Sequence, residues 1–250
     1  MTTTEFSAPA TDVVRWNEPD GIAPPRGTLV VLPGRGETAD VYRRFATRLS
    51  VDAYRVAVFE PGDRDIAERV RELAADPWAV TPPLVLVGSD SGALQALDAA
   101  VGLGESVAAV IAAGVPVGVD TPRRMTGTPK SRSGPDAPPP TRACCARRCA
   151  EHRIGHRRPC RRALSPALPD VPVLAIHGNT DRLSPPVEDA LAFYRRIPNV
   201  TVKVVEDGRH DALNDATHRS AAATVVLFLE RLRLDPSLKP IVRDVEVESA

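Results

Sequence analysis

The sequence has no excess charge of either sign, no long apolar run and few cysteines. Its 32 basic residues balance 32 acidic residues over 250 positions, so a polyanion-binding surface across the whole protein is not indicated. No run of ~18 apolar residues occurs, and we therefore expect no membrane-spanning helix. Residues 1–10 lack the basic and apolar segments of a secretory signal. These absences predict a soluble, cytoplasmic protein.

The four cysteines all lie between Cys144 and Cys160, inside a segment of unusual composition. Residues 121–165 hold twelve Lys and Arg against two acids, three consecutive prolines and almost no large apolar residues. Such a segment cannot bury much surface. We therefore interpret 118–168 as a degenerate, poorly ordered cap insertion and 237–250 as a loosely attached tail, within a single domain over 1–250.

The insertion contains side chains of the types that bind zinc, namely Cys145, Cys149, His152, His156 and Cys160. Their spacing matches no standard zinc finger, and no ordered scaffold is evident around them. The segment also lacks the aromatic residues that interleave with basic ones in single-strand nucleic-acid arms. We expect neither a metal site nor nucleic-acid binding here.

The rest of the sequence alternates short apolar runs with helical patterns. Six runs rich in β-branched residues predict strands, at 27–33, 54–59, 84–88, 107–112, 171–176 and 200–205. Their continuous apolar character is typical of strands buried on both faces. Between them, apolar residues recur at helical spacing, as at Ile66, Val70 and Leu73. The alternation predicts an α/β fold with a mostly parallel sheet and helices on both faces, and 13–16 could add a leading strand.

Ligands bind at the carboxyl ends of strands in open parallel sheets, so the residues after each run are the candidate site. Gly88-Ser-Asp-Ser-Gly92 follows the third run and opens a helix. Small residues two positions either side of Asp90 suit a sharp turn that presents a nucleophile. A shift of one residue would place Ser91 at the apex instead. We favour Asp90, because that register ends the strand at Gly88 and supplies two glycines; a plain turn that caps the helix is the alternative.

Asp181 follows the fifth run and His210 follows the sixth. The order of position 90, Asp181 and His210 is that of the α/β-hydrolase triad. Each residue also has an ordinary structural interpretation, as a turn or helix-capping residue. His218 is interpreted as a solvated helix residue rather than a second base.

On these motifs the chain resembles the α/β-hydrolase superfamily, most of all its monoacylglycerol lipase and lysophospholipase-like branch. Residues 32–38 are similar to that branch's oxyanion loop, with Pro33 where histidine is usual. Residues 177–186 are similar to its acid loop and 210–215 to its histidine loop. The resemblance covers roughly 27–117 and 168–232.

The resemblance implies a hydrolase without a cofactor, acting on a small, partly apolar substrate. The expected oxyanion and substrate-binding residues are Gly34, Arg35, Gly36 and Ser91. The candidate oxyanion donors among them are the backbone N–H of Ser91 and that of Arg35 or Gly36. Nothing in the sequence indicates the oligomeric state.

Asp90 departs from that branch, which has serine at this position. Aspartate there resembles the haloalkane dehalogenase and epoxide hydrolase branches, in which an ionised carboxylate attacks an sp³ carbon and a histidine then activates water. However, Ser91 stands where those dehalogenases have tryptophan, and 118–168 contains no tyrosine of the epoxide hydrolase type. Three hypotheses remain: a hydrolase using Asp90, a serine esterase or lipase-like enzyme using Ser91, and a non-catalytic binding protein.

Overall fold

A computed structural model of the chain describes residues 13–19, 24–61, 65–76, 78, 80–116, 168–184 and 187–243. The predicted insertion at 118–168, apart from Leu168, lies outside the described residues, and so does the Cys145–Cys160 tract. Of the predicted tail, residues 237–243 are described, and Leu238 packs against the core.

The described residues form seven strands and five α-helices. The strands are β1 (Val13–Trp16), β2 (Gly27–Leu32), β3 (Tyr54–Phe59), β4 (Leu84–Ser89), β5 (Ala109–Ala113), β6 (Val173–Gly178) and β7 (Val200–Val205). The helices are α1 (Arg43–Val51), α2 (Ile66–Ala75), α3 (Ser91–Leu103), α4 (Val187–Tyr194) and α5 (His218–Leu234).

One sheet contains all seven strands, in the order β1-β3-β2-β4-β5-β6-β7. Every neighbouring pair is parallel except β1 with β3. Two apolar layers cover it: α1 and α5 pack on one face, and α2, α3 and α4 on the other. The predicted α/β fold with a mostly parallel sheet and helices on both faces is confirmed.

The four central strands are buried on both faces because a helical layer covers each side. Within β2, Val31 faces one core layer and Val30 the other, following the period of two along a strand. Burying such side chains contributes about 1.5–3 kcal/mol each. The continuous apolar runs of the sequence are the consequence of this double burial.

Two sequence-based expectations are corrected. Residues Val200–Val205 do form a strand, but β7 is the sheet's edge and its side chains are partly exposed, with Val204 at 40%. Strands β5 and β6 each begin two residues later than predicted, a small shift of the kind common at element ends. Pro172, just before β6, has no N–H to donate to the ladder.

The register brings the strand ends level at one edge of the sheet. Leu32 at the end of β2 pairs with Gly88 of β4, and Ser89 pairs with Ala113 of β5. Gly178 at the end of β6 pairs with Val205 of β7. The loops that leave these strands therefore meet at the same edge, where the sequence places its candidate residues. Within the described ranges, no helix is both long and apolar enough to cross a membrane.

Candidate active site

Asp90 occupies the turn between β4 and α3 with a backbone rarely adopted by a residue with a side chain. Its φ is 49° and its ψ is −120°, and its N–H donates to the Ala113 carbonyl over 3.0 Å. The flanking glycines make this turn possible. A Cβ on Gly88 would lie 2.2 Å from the Gly92 carbonyl oxygen, and one on Gly92 would lie 2.1 Å from the Leu32 carbonyl oxygen. A non-glycine residue at positive φ costs on the order of 1–3 kcal/mol, so the surrounding fold holds Asp90 in place.

His210 lies between two carboxylates. Its Nδ1 donates to Asp181 Oδ2 over 2.8 Å, and its Nε2 lies 3.3 Å from Asp90 Oδ1, an ion-pair contact rather than a well-aligned hydrogen bond. The His210 side chain is only 15% exposed. Burial by itself would lower the pKa of His210, but the hydrogen bond to Asp181 and the contact with Asp90 outweigh it and raise the pKa to about 9. The imidazole is therefore charged near neutral pH.

Asp181 is fixed by its own loop. Its Oδ1 accepts the backbone N–H of Leu183 at 2.8 Å and that of Ser184 at 3.1 Å, which leaves Oδ2 for His210. Burial opposes ionisation, but the hydrogen bond with His210, followed by those from the Leu183 and Ser184 N–H groups, lowers the pKa of Asp181 to about 2. Behind it, the fully buried His177 places Nε2 3.9 Å from Asp181 Oδ2. Asp181 is therefore ionised near neutral pH and is held by two backbone N–H groups of its own loop.

The Arg35 guanidinium forms a bidentate ion pair with the Asp90 carboxylate. Nε donates to Oδ2 over 2.6 Å and Nη2 donates to Oδ1 over 2.8 Å, while the Arg35 backbone N–H donates to Oδ2 over 3.1 Å. Burial would raise the pKa of Asp90, but the contact with His210 and the hydrogen bonds from Arg35 hold it far below its usual range. The Asp90 side chain is 6% exposed, whereas that of Arg35 is 47% exposed. The carboxylate is thus ionised and buried, and both of its oxygens accept hydrogen bonds from Arg35.

The predicted oxyanion loop is shaped by Glu37. Its Oε2 accepts the Gly34 N–H over 2.7 Å and also the Tyr42 hydroxyl. The Gly34 N–H is therefore bonded within the loop. Gly36 has a φ of 75° and open space around it. The backbone N–H groups of Arg35 and Ser91 both lower the pKa of Asp90, because they stabilise its ionised carboxylate.

Ser91 begins α3 and is half-buried. In the described part of the chain, His210 contacts Asp90 and Asp181 and makes no hydrogen bond to Ser91. Ser91 lines a cavity of about 180 Å³ whose lining residues do not include Asp90, Asp181 or His210. All four expected oxyanion and substrate-binding residues line this cavity, namely Gly34, Arg35, Gly36 and Ser91.

No protein-family model matches the sequence, and no curated protein sequence matches it. Solved structures do match its fold. A monoacylglycerol lipase from Paleococcus ferrophilus is 16% identical with a TM-score of 0.56, over 89% of this chain and 98% of that one. Est1E from Butyrivibrio proteoclasticus is 14% identical with a TM-score of 0.62, over 89% and 94%. An α/β serine hydrolase without a lid from Xanthomonas campestris is 16% identical with a TM-score of 0.52, over 86% and 87%.

The chain has the α/β-hydrolase fold. At these identities the likeness concerns the fold alone. In this fold, residues 90, 181 and 210 meet at the carboxyl edge of the sheet.

Within this α/β-hydrolase fold, sequence reasoning missed the side chain of Arg35, which was considered only for its backbone N–H. It also missed His177 behind Asp181, and Ser184, whose Oγ lies 3.3 Å from His210 Nδ1. The signal for His177 and Ser184 was present, because both lie in the acid loop that contains Asp181. No sequence signal indicated where the Arg35 guanidinium would go.

Proposed function

We propose that this chain is a hydrolase in which Asp90 is the nucleophile, His210 the base and Asp181 the residue that orients that base. The observation that carries the proposal is the position of His210, with Nε2 3.3 Å from Asp90 Oδ1 and Nδ1 2.8 Å from Asp181 Oδ2. Asp90 lies at the turn between β4 and α3, at positive φ. This geometry supports chemistry at Asp90 rather than at its neighbour.

The charge state of His210 supports the same choice. A serine nucleophile needs a neutral histidine at the outset to take its proton. The two carboxylates raise the pKa of His210 to about 9, so near neutral pH the resting imidazole is mostly charged and is a poor proton acceptor. An ionised aspartate needs no base for its attack, and the low pKa of Asp90 keeps it ionised.

In the first step, an Asp90 oxygen attacks an sp³ carbon of the substrate. A carbon–oxygen bond forms, the bond to the leaving group breaks, and the leaving group departs with the electron pair as an anion. The product is an alkyl ester of Asp90, which has lost its negative charge. One of the two carboxylates that stabilised imidazolium is then gone, so the pKa of His210 falls and it releases a proton to solvent.

In the second step, neutral His210 takes a proton from water as the hydroxide adds to the Asp90 ester carbonyl. The acyl carbon–oxygen bond breaks, the alcohol leaves with the proton from His210, and the proton on the new carboxyl returns to His210. The net reaction converts the substrate and water into an alcohol, the anion of the leaving group and one proton. Attack of Asp90 on a carboxylic ester would instead give a high-energy anhydride, so ester cleavage by Asp90 is disfavoured.

The test is a screen of haloalkanes, epoxides and aryl esters, followed by trapping. In His210→Gln the alkyl ester should form and persist, giving a mass increase that peptide mapping places on Asp90 rather than on a cysteine. Asp90→Asn should abolish both turnover and the adduct. Asp98→Asn, an exposed aspartate on α3, is the matched control and should behave as the wild type.

A serine esterase that uses Ser91 is the second candidate, favoured by the structural neighbours, which their names describe as a lipase, an esterase and a serine hydrolase. In that enzyme Ser91→Ala would abolish ester cleavage, and His210→Gln would trap nothing, because the histidine must act first. Under the Asp90 proposal, Ser91→Ala retains most of the activity. If no substrate is turned over or trapped by any variant, a non-catalytic binding protein is the better description.

A further inference from the structure

A second histidine, which the proposed reaction does not use, lies behind the Asp181 carboxylate. His177 is the next to last residue of β6, and its side chain is only 1% exposed. Its Nε2 lies 3.9 Å from Asp181 Oδ2, the same oxygen that accepts the hydrogen bond from His210. Among the described residues, no hydrogen-bond partner meets this nitrogen. A buried polar atom without a partner is destabilising, so its position beside Asp181 needs an explanation.

Tyr194 determines which ring nitrogen of His177 carries the hydrogen. The Tyr194 hydroxyl lies 3.4 Å from Nδ1, and the two rings meet edge to face with their centroids 6.1 Å apart. Burial raises the pKa of Tyr194, so the hydroxyl keeps its hydrogen and donates it to Nδ1. Burial also lowers the pKa of His177, so its ring is neutral near neutral pH. A neutral imidazole that accepts at Nδ1 carries its hydrogen on Nε2, on the side of Asp181.

Asp181 favours the same form of the His177 ring. With the hydrogen on Nδ1 instead, the Nε2 lone pair would face a carboxylate oxygen 3.9 Å away. Both side chains are 1% exposed, so water does not screen that repulsion. The two neighbours of His177 therefore select one tautomer, in which an N–H group is directed at the carboxylate that orients His210.

We propose that Tyr194 and His177 form a relay behind the triad, in which the His177 Nε2–H is a second donor to the Asp181 carboxylate and moderates the basicity of His210. His177 is a positioning residue, because it reaches the reacting atoms only through Asp181 and His210. The inference rests on the roles proposed above for those two residues and adds a third residue that controls them.

The effect of His177 depends on the charge of His210. While His210 is charged, its Nδ1 lies 2.8 Å from Asp181 Oδ2, and the more distant His177 N–H adds little to that ion pair. When His210 loses its proton, the Asp181 charge is no longer balanced from that side, and the His177 N–H is placed to take up part of it. A movement of about 0.9 Å would bring Nε2 to an ordinary hydrogen-bond distance of about 3.0 Å.

His177 therefore stabilises the neutral form of His210 more than the charged form, which lowers the pKa of His210. In the proposed reaction, His210 must release a proton once Asp90 is alkylated and must then accept one from water. A donor behind Asp181 assists the first of these events without removing the hydrogen bond that orients the ring.

The experiment is NMR titration of the full chain with the histidine rings labelled with ¹⁵N. In the wild type, long-range ¹H–¹⁵N correlations should show His177 neutral, with its hydrogen on Nε2, between pH 7 and pH 9. This measurement needs no substitution and therefore does not depend on whether a variant folds. A His177 ring that is charged over this range, or that carries its hydrogen on Nδ1, would overturn the inference.

Variants then test the coupling to His210. His177→Leu removes both ring nitrogens and keeps a side chain of similar size, so the acid dissociation constant of His210 should fall at least ~2-fold, which is a rise in its pKa. His177→Gln retains an N–H near the position of Nε2 and should titrate close to the wild type. The other titratable or charged described groups that face the two histidines remain in both variants, namely Asp90 with its partner Arg35, Asp181, Asp211 and Tyr194.

Phe193→Leu is the matched control for packing. Phe193 meets the Tyr194 ring edge to face, with centroids 5.7 Å apart, and contributes no polar side-chain atom to the relay. Its substitution alters the packing beneath the relay alone and should leave the His210 titration unchanged. An unchanged or lowered His210 pKa in His177→Leu, or an equal rise in Phe193→Leu or His177→Gln, would show that His177 acts only as a packing residue.

The titration needs no substrate, so the relay and the proposed reaction fail separately. If Asp90 is never alkylated but His177→Leu raises the pKa of His210, the reaction is wrong and the relay stands. If Asp90 is alkylated while His210 titrates identically in His177→Leu and the wild type, the reaction stands and the relay is wrong.

Discussion

His210 donates its Nδ1 hydrogen to Asp181, over 2.8 Å, and this bond determines what the other ring nitrogen can do. Asp181 is held by two backbone N–H groups of its own loop, so it fixes the plane of the imidazole and, when the ring is neutral, its tautomer. Nε2 is thereby directed at Asp90, 3.3 Å away. With a carboxylate at each nitrogen, the charged imidazole is the stable form near neutral pH.

The titration of His210 should follow this arrangement directly. In the wild type we expect a pKa of about 9 by NMR of the imidazole protons. Asp90→Asn and Asp181→Asn should each lower it, because each removes one of the two negative charges. His218→Gln serves to assign the resonances and should leave the His210 titration unchanged. A wild-type His210 that titrates near ~6.5, its ordinary value, would contradict the ion-pair description.

Stability should depend on alkaline pH through the same residue. The folded-state pKa of His210 is raised to about 9, so its stabilising contribution is complete below the unfolded value of 6.5 and disappears as the pH rises through 9. We expect the wild-type free energy of unfolding, from urea denaturation, to fall by about 1–3 kcal/mol between pH 6.5 and 9.5. The difference between wild type and His210→Gln should shrink over that interval. A constant difference would argue against a stabilising charge on His210.

The dependence of stability on acidic pH tests the role of Asp181. Its folded pKa is lowered to about 2 from an ordinary 3.8, so its contribution is present above 3.8 and is lost as the pH falls toward 2. The stability gap between the wild type and Asp181→Asn should therefore narrow from pH 5 to pH 2. Asp98→Asn, with the aspartate exposed on α3, should show no such narrowing. Parallel acid-denaturation curves for wild type and Asp181→Asn would refute this role.

The strands and the triad positions follow from information local to the sequence. Central strands such as β2 and β4 have continuous apolar sequences because both of their faces are buried. Asp90, Asp181 and His210 come just after strands, and parallel strands end at one edge, so the sequence predicted that they share this edge. That they meet there was implied by the resemblance to the α/β-hydrolase superfamily.

What depends on three-dimensional neighbours was not predictable. The run at β7 reads like a buried strand, but its exposure is set by its place at the sheet's edge, which the run itself does not encode. The Arg35 guanidinium is carried by a long side chain on a glycine-containing loop, and its direction depends on how Gly34 and Gly36 shape that loop. The bidentate pairing of the Arg35 guanidinium with Asp90 was therefore absent from the sequence prediction.

The turn itself can be tested with two glycines of the same region. A Cβ on Gly92 would lie 2.1 Å from the Leu32 carbonyl oxygen, a backbone atom that cannot move aside, so Gly92→Ala should destabilise the protein by about 3 kcal/mol. Gly102, also in α3, has no atom nearer than 4.0 Å to an added Cβ, so Gly102→Ala should stabilise by about 0.5–1 kcal/mol through helix propensity. Urea denaturation of both variants measures the contrast. Equal effects would mean that β2 and α3 do not approach as closely as described.

The proton balance at His210 provides the last prediction. Alkylation of Asp90 by a haloalkane produces no proton by itself. A proton released as the ester forms therefore comes from His210, because Asp90 has lost its negative charge. At pH 8, below the resting pKa of about 9, we expect a burst approaching one proton per active site, measured with an indicator dye in stopped flow. His210→Gln should form the same ester on Asp90 with no burst. A full burst in that variant, or an ester formed by the wild type without one, would show that His210 is not the group coupled to the charge of Asp90.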